Sequence, residues 1–166
     1  QGDRQKELVD CNLLIGDVVK LAESDARMRN ISIKISLCES SANVFVDTVQ
    51  IQQVMLNLLR NGMEAMQAAK LENGNIIELR AELISQTPHR PNRQTVVKIS
   101  VLDSGCGLSS NMTDKLFTAF SSTKENGMGI GLSISKSIIE EHGGRIHYSS
   151  NSPAGTVFYF ILPVVD

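Results

Sequence analysis

The stretch GMGIGLSISKSIIEEHGG, residues 127–144, is unusual because it places glycines at every second position directly before an amphipathic helix. These glycines are Gly127, Gly129 and Gly131, and a glycine pair at 143–144 ends the predicted helix at residues 131–144. Glycine at such a place costs backbone entropy, but it lets the backbone approach another group closely. Because the N-terminus of a helix favours an anion, the stretch indicates a phosphate-bearing ligand.

The common phosphate-binding loops do not fit this stretch. A Walker loop needs glycine directly before Lys-Ser, but Lys136 and Ser137 follow Ser135. A dinucleotide fingerprint needs G-x-G-x-x-G after a strand, whereas the glycines here follow the pattern G-x-G-x-G after a loop. Taken alone, the pattern indicates a flexible hinge as readily as a nucleotide loop.

The composition of the whole chain limits the class of protein. With 166 residues, 42% of them hydrophobic and 20% charged, the chain fits one soluble globular domain. A net charge of -2 and a pI near 5.9 argue against binding to nucleic acid and against direct contact with an anionic membrane surface. The three cysteines have no metal-ligand spacing, which argues against a disulfide framework or a zinc site and favours a reducing cytosol. The start QGDRQKELVD has no initiator Met and no signal-peptide pattern, so we expect a piece of a longer protein.

Hydrophobic periodicity predicts alternating helices and strands. The predicted helices are residues 13–28, 48–70 with Asp47 as N-cap, and 131–144; the predicted strands are residues 31–37, 44–47, 76–84, 95–103, 145–150 and 156–163. A protruding polar loop joins the two central strands, and a flexible segment is expected between Ser104 and Met128. Because the strands cluster late in the chain, we expect a sheet that is covered on one face by helices.

Two asparagines on the long helix are candidate metal ligands. Asn57 and Asn61 are four residues apart and therefore share a helix face, with Arg60 and Glu64 beside them. Asparagine is a poor choice in a helix interior, and carboxamide oxygens suit a Mg²⁺ ion that is carried in by phosphates. The alternative is that both side chains cap or bridge neighbouring backbone, and spacing alone does not decide between these interpretations.

The segment VLDSGCG, residues 101–107, supplies a third candidate element. Asp103 ends a strand and leads into Gly105 and Gly107, so its carboxylate lies at the edge of the sheet beside a backbone open to a flat ring. A carboxylate there can accept a hydrogen bond from an exocyclic amine such as that of adenine. The alternative is a simple Asp-Gly turn.

Taken together, these motifs resemble the ATP-binding domain of sensor histidine kinases. QQVMLNLLRNGMEAM, DSGCG, LFTAFSSTK, GMGIGLSISKSIIEEHGG and PAGTVFYFILP follow the order and spacing of that family's N, G1, F, G2 and final glycine-threonine boxes, over residues 47–162. The segment between the F and G2 boxes, called the lid, is short, and its sequence STK...GMGIGL most resembles the oxygen- and dicarboxylate-sensing branch. The resemblance implies an α+β fold, a two-layer α/β sandwich whose mixed, mostly antiparallel sheet carries three helices on one face (the Bergerat ATP-binding fold). It divides the chain into a linker at 1–8 and an ATP-binding catalytic domain at 9–166.

The resemblance also implies roles for individual residues, with ATP and Mg²⁺ as cofactors. Asn57 and Asn61 would hold Mg²⁺, Asp103 would accept from adenine N6, and Asn57, Asn61 and Lys124 would carry catalysis. The implied nucleotide-binding residues are Arg60, Asn61, Glu64, Asp103, Gly105, Gly107, Leu108, Phe120, Thr123, Lys124, Gly127, Met128, Gly129, Gly131, Leu132 and Thr156. Phe117 and Phe120 would anchor the lid. For Arg60, a solvated or salt-bridged arginine is the equal alternative.

Three positions need comment against the family pattern. Gly62 replaces the usual alanine and is expected to loosen the helix slightly. Glu64 stands where many members have a lysine, so a phosphate contact expected there is in question. Cys106 near the adenine is open to oxidation, but a small buried space-filler is the favoured interpretation.

Three functions compete: the catalytic domain of a histidine kinase, a related ATPase of the GHKL type, and a nucleotide-binding module that acts without catalysis. The ATPases place a glutamate at the position of Asn57 to activate water, so asparagine there favours transfer to a nucleophile that another domain brings. His89 and His147 are expected to be surface residues, and His142 to favour a helix C-terminus electrostatically, so the acceptor histidine lies outside this chain.

The expected partners follow from the resemblance. They are a dimerisation and histidine phosphotransfer domain of the same protein and the receiver domain of a response regulator. The isolated domain is expected to be a monomer and the parent a homodimer, located in the cytoplasm, either free or as the cytoplasmic part of a membrane-bound sensor.

Overall fold

The fold is described by a computed structural model that covers residues 5–70, 75–85, 94–109, 116–117 and 128–166. In this part of the chain the strands are β1 (Glu7–Asp10), β2 (Ser32–Ser36), β3 (Asn43–Val46), β4 (Ile76–Ser85), β5 (Thr95–Leu102), β6 (Arg145–Ser150) and β7 (Thr156–Pro163). The helices are α1 (Cys11–Met28), α2 (Thr48–Ala68) and α3 (Met128–Glu141).

The strands form one large sheet and one small sheet. The large sheet has the order β2-β4-β5-β7-β6, and the small one pairs β1 with β3. The strand β2 runs parallel to β4, whereas the pairs β4–β5, β5–β7 and β6–β7 are antiparallel. The mixed, mostly antiparallel sheet that the resemblance implied is therefore confirmed.

The helices cover one face of the large sheet, and the core lies between the two layers. The apolar stripe predicted on α2 is buried: Ile51, Val54, Met55 and Leu58 are all 0% exposed. These side chains join a core cluster that also contains inward-facing strand residues such as Ile99 and Phe160. Burial of this stripe, more than helix propensity, stabilises a helix of this kind.

Side chains cap the first two helices at their N-termini. Asp47 accepts a hydrogen bond from the backbone N–H of Gln50 at 3.2 Å, which confirms its predicted role as the N-cap of α2. Asp10 does the same for α1, because its carboxylate accepts from the N–H of Asn12 at 3.0 Å. Each cap satisfies a backbone donor that has no partner within the helix and stabilises the helix by about 1 kcal/mol.

Two features differ from the sequence prediction. The helix α3 begins at Met128 and not at residue 131, so Gly129 and Gly131 lie in its first turn and do not precede it. The strand β1 was not predicted, and Glu7 and Leu8, which fell in the predicted linker, pair with Val46 and Phe45 of β3. The division of the chain into linker and catalytic domain stays a prediction.

In the described parts of the chain, no helix combines the length and apolar character that a membrane span needs.

Candidate functional site

Asp103 lies at the end of β5 and forms the centre of the site. Its side chain is buried, with only 2% of the residue exposed. One carboxylate oxygen, Oδ1, accepts hydrogen bonds from the backbone N–H groups of Gly105 at 2.9 Å and Thr156 at 3.2 Å. The backbone N–H of Asp103 in turn donates to the carbonyl of Thr156 at 3.0 Å. The carboxylate is therefore held by the loop that follows Asp103 and by the first residue of β7.

The surroundings of Asp103 disfavour its charge. Burial raises the pKa of this carboxyl group above its usual value, and the hydrogen bonds from Gly105 and Thr156 oppose the rise in pKa. Burial of a carboxylate with few partners costs folding free energy. Its position at the end of a strand, facing a neighbouring helix, is therefore typical of a group that binds a ligand.

The helix α2 packs directly against this strand end. A Cβ atom on Gly62 would lie 2.7 Å from Cδ1 of Ile77, 3.3 Å from Cβ of Asp103 and 3.5 Å from Oδ2 of Asp103. Glycine in place of the family's usual alanine thus lets α2 come close to the carboxylate, a reason that the sequence did not reveal. On the strand side, a Cβ on Gly105 would lie 2.7 Å from the carbonyl carbon of Ala65, so this glycine is needed for the same close approach.

Asn61 carries a buried polar group without a partner. The residue is 5% exposed, and its Nδ2 atom has no hydrogen-bond partner in the described structure. A buried amide of this kind costs about 1–3 kcal/mol when it stays unpaired. A polar ligand that brings acceptor oxygens next to α2 would remove this cost, and the carboxamide oxygen of the same side chain suits Mg²⁺. The residues present therefore fit a magnesium–phosphate group.

Asn57 contacts the helix α3. Its Nδ2 atom donates to the hydroxyl of Ser135 at 3.2 Å, and Ser135 is only 2% exposed. A Cβ on Gly131 would lie 2.6 Å from Oδ1 and 2.9 Å from Nδ2 of Asn57, so the absence of a side chain at Gly131 lets the carboxamide approach this closely. This contact gives a physical reason for the third glycine of the G-x-G-x-G pattern.

The two contact regions of α2 meet at Asn61. With about 100° per residue, Asn61 lies about 40° from Asn57 and about 100° from Gly62 around the helix. Asn57 contacts α3 and Gly62 contacts the end of β5, so the unpaired amide of Asn61 lies between these two contacts. Beside Asn57 lies a groove of about 470 Å³ that is lined by residues of α2 and α3, among them the exposed Arg60.

The other predicted residues take several positions. Thr156 is buried at 4% exposure beside Asp103, and Gly107 has a φ of +74° at the start of the following loop. Leu108 packs against the core, and Leu132 is part of the core at 1% exposure. The remaining described positions are Met128 and Gly129 in the first turn of α3 and the half-buried Glu64 on α2.

Some predicted residues cannot be placed. Phe120, Thr123, Lys124, Gly127 and His89 lie outside the described residues. Phe117 is described, and its ring centroid lies 6.3 Å from that of Tyr148 on β6.

Cys106 is exposed, which contradicts the expectation of a buried space-filler. It lies between two glycines, and Gly105, not Cys106, faces α2, so Cys106 is not packed against that helix.

Sequence reasoning missed several residues of the site. Ser135 contacts Asn57, and Asn151 donates through Nδ2 to the carbonyl of Asp103 at 2.8 Å. A polar residue on the apolar side of α3 was a usable signal for Ser135. Asn151 follows a strand in a turn-rich segment, where asparagine is common for local reasons, so the sequence held no distinctive signal for it.

No group of three or more histidine, cysteine, aspartate or glutamate side chains is arranged for a metal ion within the described ranges. A magnesium ion here would depend on carboxamide oxygens and on ligand phosphates.

Comparison with known proteins gives consistent matches. Residues 46–166 match the family described as histidine kinase-, DNA gyrase B-, and HSP90-like ATPase. The sensor protein FixL of Bradyrhizobium diazoefficiens is 37% identical over 166 residues, which are 100% of this chain and 31% of FixL. The C4-dicarboxylate transport sensor protein DctS of Rhodobacter capsulatus is 32% identical over 96% of this chain and 23% of its own length. The chain thus spans less than a third of the length of these relatives.

Solved structures show the same fold. The catalytic domain of the histidine kinase ThkA superposes with a TM-score of 0.75 at 32% identity, covering 95% of each chain. A structure of ThkA in complex with the response regulator protein TrrA matches with a TM-score of 0.73 at 30% identity, over 96% of this chain and 42% of that one. Both relatives are named as sensor proteins, and DctS is named for C4-dicarboxylate transport, which agrees with the dicarboxylate part of the branch that the resemblance implied. The fold, the family match and the ThkA similarity together show that this chain belongs to the histidine kinase-, DNA gyrase B- and HSP90-like ATPase family, as a histidine kinase catalytic domain.

Proposed function

We propose that this chain binds Mg-ATP and transfers the γ-phosphoryl group to a histidine on a separate helical domain of the same protein, for relay to an aspartate of a response regulator. The observation that carries the proposal is the buried carboxylate of Asp103. It is held through Oδ1 by two backbone N–H groups, and it faces the helix that carries the unpaired amide of Asn61. A group of this kind is suited to accept the exocyclic N–H of adenine.

The phosphate end of the nucleotide is assigned to α2. Asn57 and Asn61 would hold Mg²⁺, which when bound neutralises phosphate charge and orients the transferred group. Arg60 is exposed on the same helix and is available to a phosphate. The N-terminal end of α3 contacts Asn57 through Gly131 and directs its positive dipole end to this region.

Transfer to a histidine is favoured over hydrolysis by the chemistry of position 57. A hydrolytic ATPase needs a base to activate water, and the carboxamide of Asn57 has no basic group at neutral pH. Its amide already donates to Ser135, so Asn57 orients groups and does not remove protons. A neutral imidazole, by contrast, is itself a nucleophile and needs positioning more than activation.

The partners are proposed from the same relatives. The ThkA structure pairs a histidine kinase with a response regulator, so a receiver domain is the expected final acceptor here. The helical domain that carries the histidine would also dimerise the parent protein, whereas the isolated domain would be monomeric. We assign the domain to the cytoplasm, where ATP and receiver domains are found.

Two experiments test the function in sequence. Calorimetric titration of the chain with a non-hydrolysable ATP analogue, with and without Mg²⁺, should show magnesium-dependent binding. Incubation with radiolabelled ATP and a separately expressed acceptor helix domain should then yield an acid-labile phosphohistidine. Absence of binding would overturn the nucleotide assignment, and binding with phosphate release but no transfer would support an ATPase.

A matched pair of variants tests the metal assignment. Asn61→Ala removes the unpaired amide on α2 and should abolish the magnesium-dependent part of the binding. Gln53→Ala, an exposed residue of the same helix, should leave that part unchanged. If both variants bind Mg-nucleotide as the wild type does, Asn61 is not a metal ligand.

A further inference from the structure

The turn between β6 and β7 forms several hydrogen bonds with Asp103 at the end of β5. Asn151 begins this turn, and its Nδ2 atom donates to the backbone carbonyl of Asp103 at 2.8 Å. The rest of Asn151 is bound within the turn: its N–H donates to the carbonyl of Gly155 at 3.0 Å, and its Oδ1 accepts from the N–H of Ser152 at 3.0 Å. The amide that reaches Asp103 is therefore fixed in orientation.

The other end of the turn touches the same residue. Gly155 has a φ of +104°, and a Cβ atom there would lie 2.0 Å from the carbonyl oxygen of Asp103. The next residue, Thr156, donates its N–H to Oδ1 of Asp103 at 3.2 Å and accepts from the N–H of Asp103 at 3.0 Å. The turn thus contacts the carbonyl, the N–H and the carboxylate of one residue.

These contacts decide where the carboxylate points. The Asn151 amide and the Thr156 backbone hold the peptide units on both sides of Asp103, and the N–H groups of Gly105 and Thr156 hold Oδ1. With the backbone and one oxygen fixed, the direction of Oδ2 is fixed as well. A shift of the turn would rotate the carboxylate away from the position in which it meets a base.

We propose that Asn151 is a positioning residue for base recognition, which sets the adenine selectivity of this site through its hydrogen bond to the Asp103 carbonyl. The inference rests on the proposed function, in which Asp103 accepts from adenine N6. Asn151 itself does not touch the nucleotide. Its loss should weaken recognition of the 6-amino group and leave the contacts to the phosphates on α2 intact.

The test compares two nucleotides that differ at the 6-position. ADP carries an amine there, and inosine diphosphate carries a carbonyl that cannot donate to Asp103. Calorimetric dissociation constants for both, at fixed Mg²⁺, are measured with the wild type and with Asn151→Ala, and the ratio of the two constants reports base recognition alone. Loss of one hydrogen bond corresponds to about a tenfold change. We therefore expect Asn151→Ala to lower the preference for ADP by about three- to tenfold, with little change for inosine diphosphate.

Controls separate this effect from simple loss of structure. Ser152→Ala alters the exposed neighbour in the same turn and should keep the wild-type ratio. Asn151→Asp keeps the shape of the side chain but removes the Nδ2 donor, so it should lower the preference for ADP as Asn151→Ala does. It serves as the test variant if Asn151→Ala does not fold. In an Asp103→Asn background, where base recognition is already altered, Asn151→Ala should not change the ratio further.

The outcomes distinguish this inference from the proposed function. If Asn151→Ala and Asn151→Asp weaken the binding of ADP and of inosine diphosphate by the same factor, or leave the binding of both unchanged, Asn151 supports only the turn and the inference is wrong. If the wild type binds ADP and inosine diphosphate equally, Asp103 does not read the base and the inference is wrong, while the proposed binding of Mg-ATP and the phosphotransfer still stand. If the wild type binds neither nucleotide, the nucleotide assignment itself is overturned, and the inference with it.

Discussion

The imidazole of His142 joins the C-terminal end of α3 to the N-cap of α2. Its Nε2 atom accepts a hydrogen bond from the backbone N–H of Asp47 at 3.1 Å, and its Nδ1 atom lies 2.7 Å from the carbonyl of Ile138. A carbonyl only accepts and a backbone N–H only donates, so in this arrangement Nδ1 donates to Ile138 and Nε2 accepts from Asp47. The contact with the Ile138 carbonyl places His142 at the C-terminal end of α3, as predicted, and its electrostatic role there stays a prediction. The hydrogen bond from Asp47 was not predicted.

Replacement of His142 should destabilise the fold. His142→Ala leaves the half-buried N–H of Asp47 without its partner and opens a space between α2 and α3, so we expect a loss of about 1–3 kcal/mol. Urea unfolding followed by circular dichroism measures the change. His147→Ala, at an exposed position on β6, should cost less than about 0.5 kcal/mol. Equal effects of the two variants would contradict the bridging role of His142.

Gly131→Ala should impair the site without unfolding the protein. The new Cβ would lie 2.6 Å from Oδ1 of Asn57, so the carboxamide must move away from Ser135. We expect phosphotransfer to the acceptor domain to fall by about tenfold or more, as a displaced group in a site commonly causes. The matched control is Gly16→Ala in α1, where the added Cβ has no neighbour within 4 Å.

Gly16→Ala should raise the free energy of unfolding by up to about 1 kcal/mol, since alanine is the better helix former. Transfer by that variant should equal that of the wild type. If Gly131→Ala and Gly16→Ala transfer phosphate at the same rate, the close contact of Gly131 with Asn57 does not affect phosphotransfer.

Asp103→Asn should stabilise the protein in a pH-dependent way while it weakens adenine binding. The folded-state pKa of Asp103 is raised, so the folded protein holds this proton more tightly than the unfolded chain does. The contribution of Asp103 to stability is complete below the ordinary carboxyl pKa, and it is lost as the pH rises through the raised value. Asparagine does not titrate and keeps an oxygen for the two N–H groups.

Urea unfolding of the wild type and Asp103→Asn at several pH values measures this effect. The stability advantage of the variant should grow as the pH rises from about 4 toward neutral and then become constant. An advantage that shrinks with rising pH would show that the carboxylate stabilises the fold in its charged form.

The cysteines should differ in their reactivity toward a maleimide. Burial, and to a lesser degree the neighbouring Cys38 and Asp10, raise the pKa of Cys11 to about 12. At pH 8 only about one part in ten thousand of that thiol is ionised, and the side chain is 0% exposed. The pKa of Cys38 is raised as well, again mainly by burial, whereas Cys106 is exposed.

We therefore expect Cys106 to be labelled first, Cys38 more slowly and Cys11 only after unfolding. Peptide mass spectrometry of samples quenched at increasing times identifies each site. A Cys106→Ser variant serves as the control for the fast phase. Labelling of Cys11 in the folded protein at the rate of Cys106 would contradict the buried position of its thiol.

The sequence predicted most elements because their signals are local. The apolar stripe of α2 and its cap Asp47 are visible in a short window, and both are confirmed. The start of α3 was wrong because glycine is a poor helix former, whereas packing of Gly131 on Asn57 keeps this turn helical. The strand β1 was missed because Glu7–Asp10 is short and its pairing with β3 lies across the whole of α1.

The candidate site divides in the same way. Asn57, Asn61 and Asp103 were identified from residue type, spacing and their order in the chain, and the structure brings the helix of the first two against the strand end of the third. The hydrogen bonds of Ser135, His142 and Asn151 were not predicted, because each joins the residue to a partner that is distant in the chain.

The family and most of the helices and strands were predictable from the sequence, as were the candidate site residues Asn57, Asn61 and Asp103, since motif spacing and hydrophobic periodicity are properties of neighbouring residues. The orientation of those residues depends on the tertiary structure: Oδ1 of Asp103 is held by Gly105 and Thr156, and Nδ2 of Asn61 is buried without a hydrogen-bond partner among the residues that the structure describes. The physical reason is that hydrogen bonds and burial depend on which groups meet in space, and the partners here come from elements that are distant in the chain.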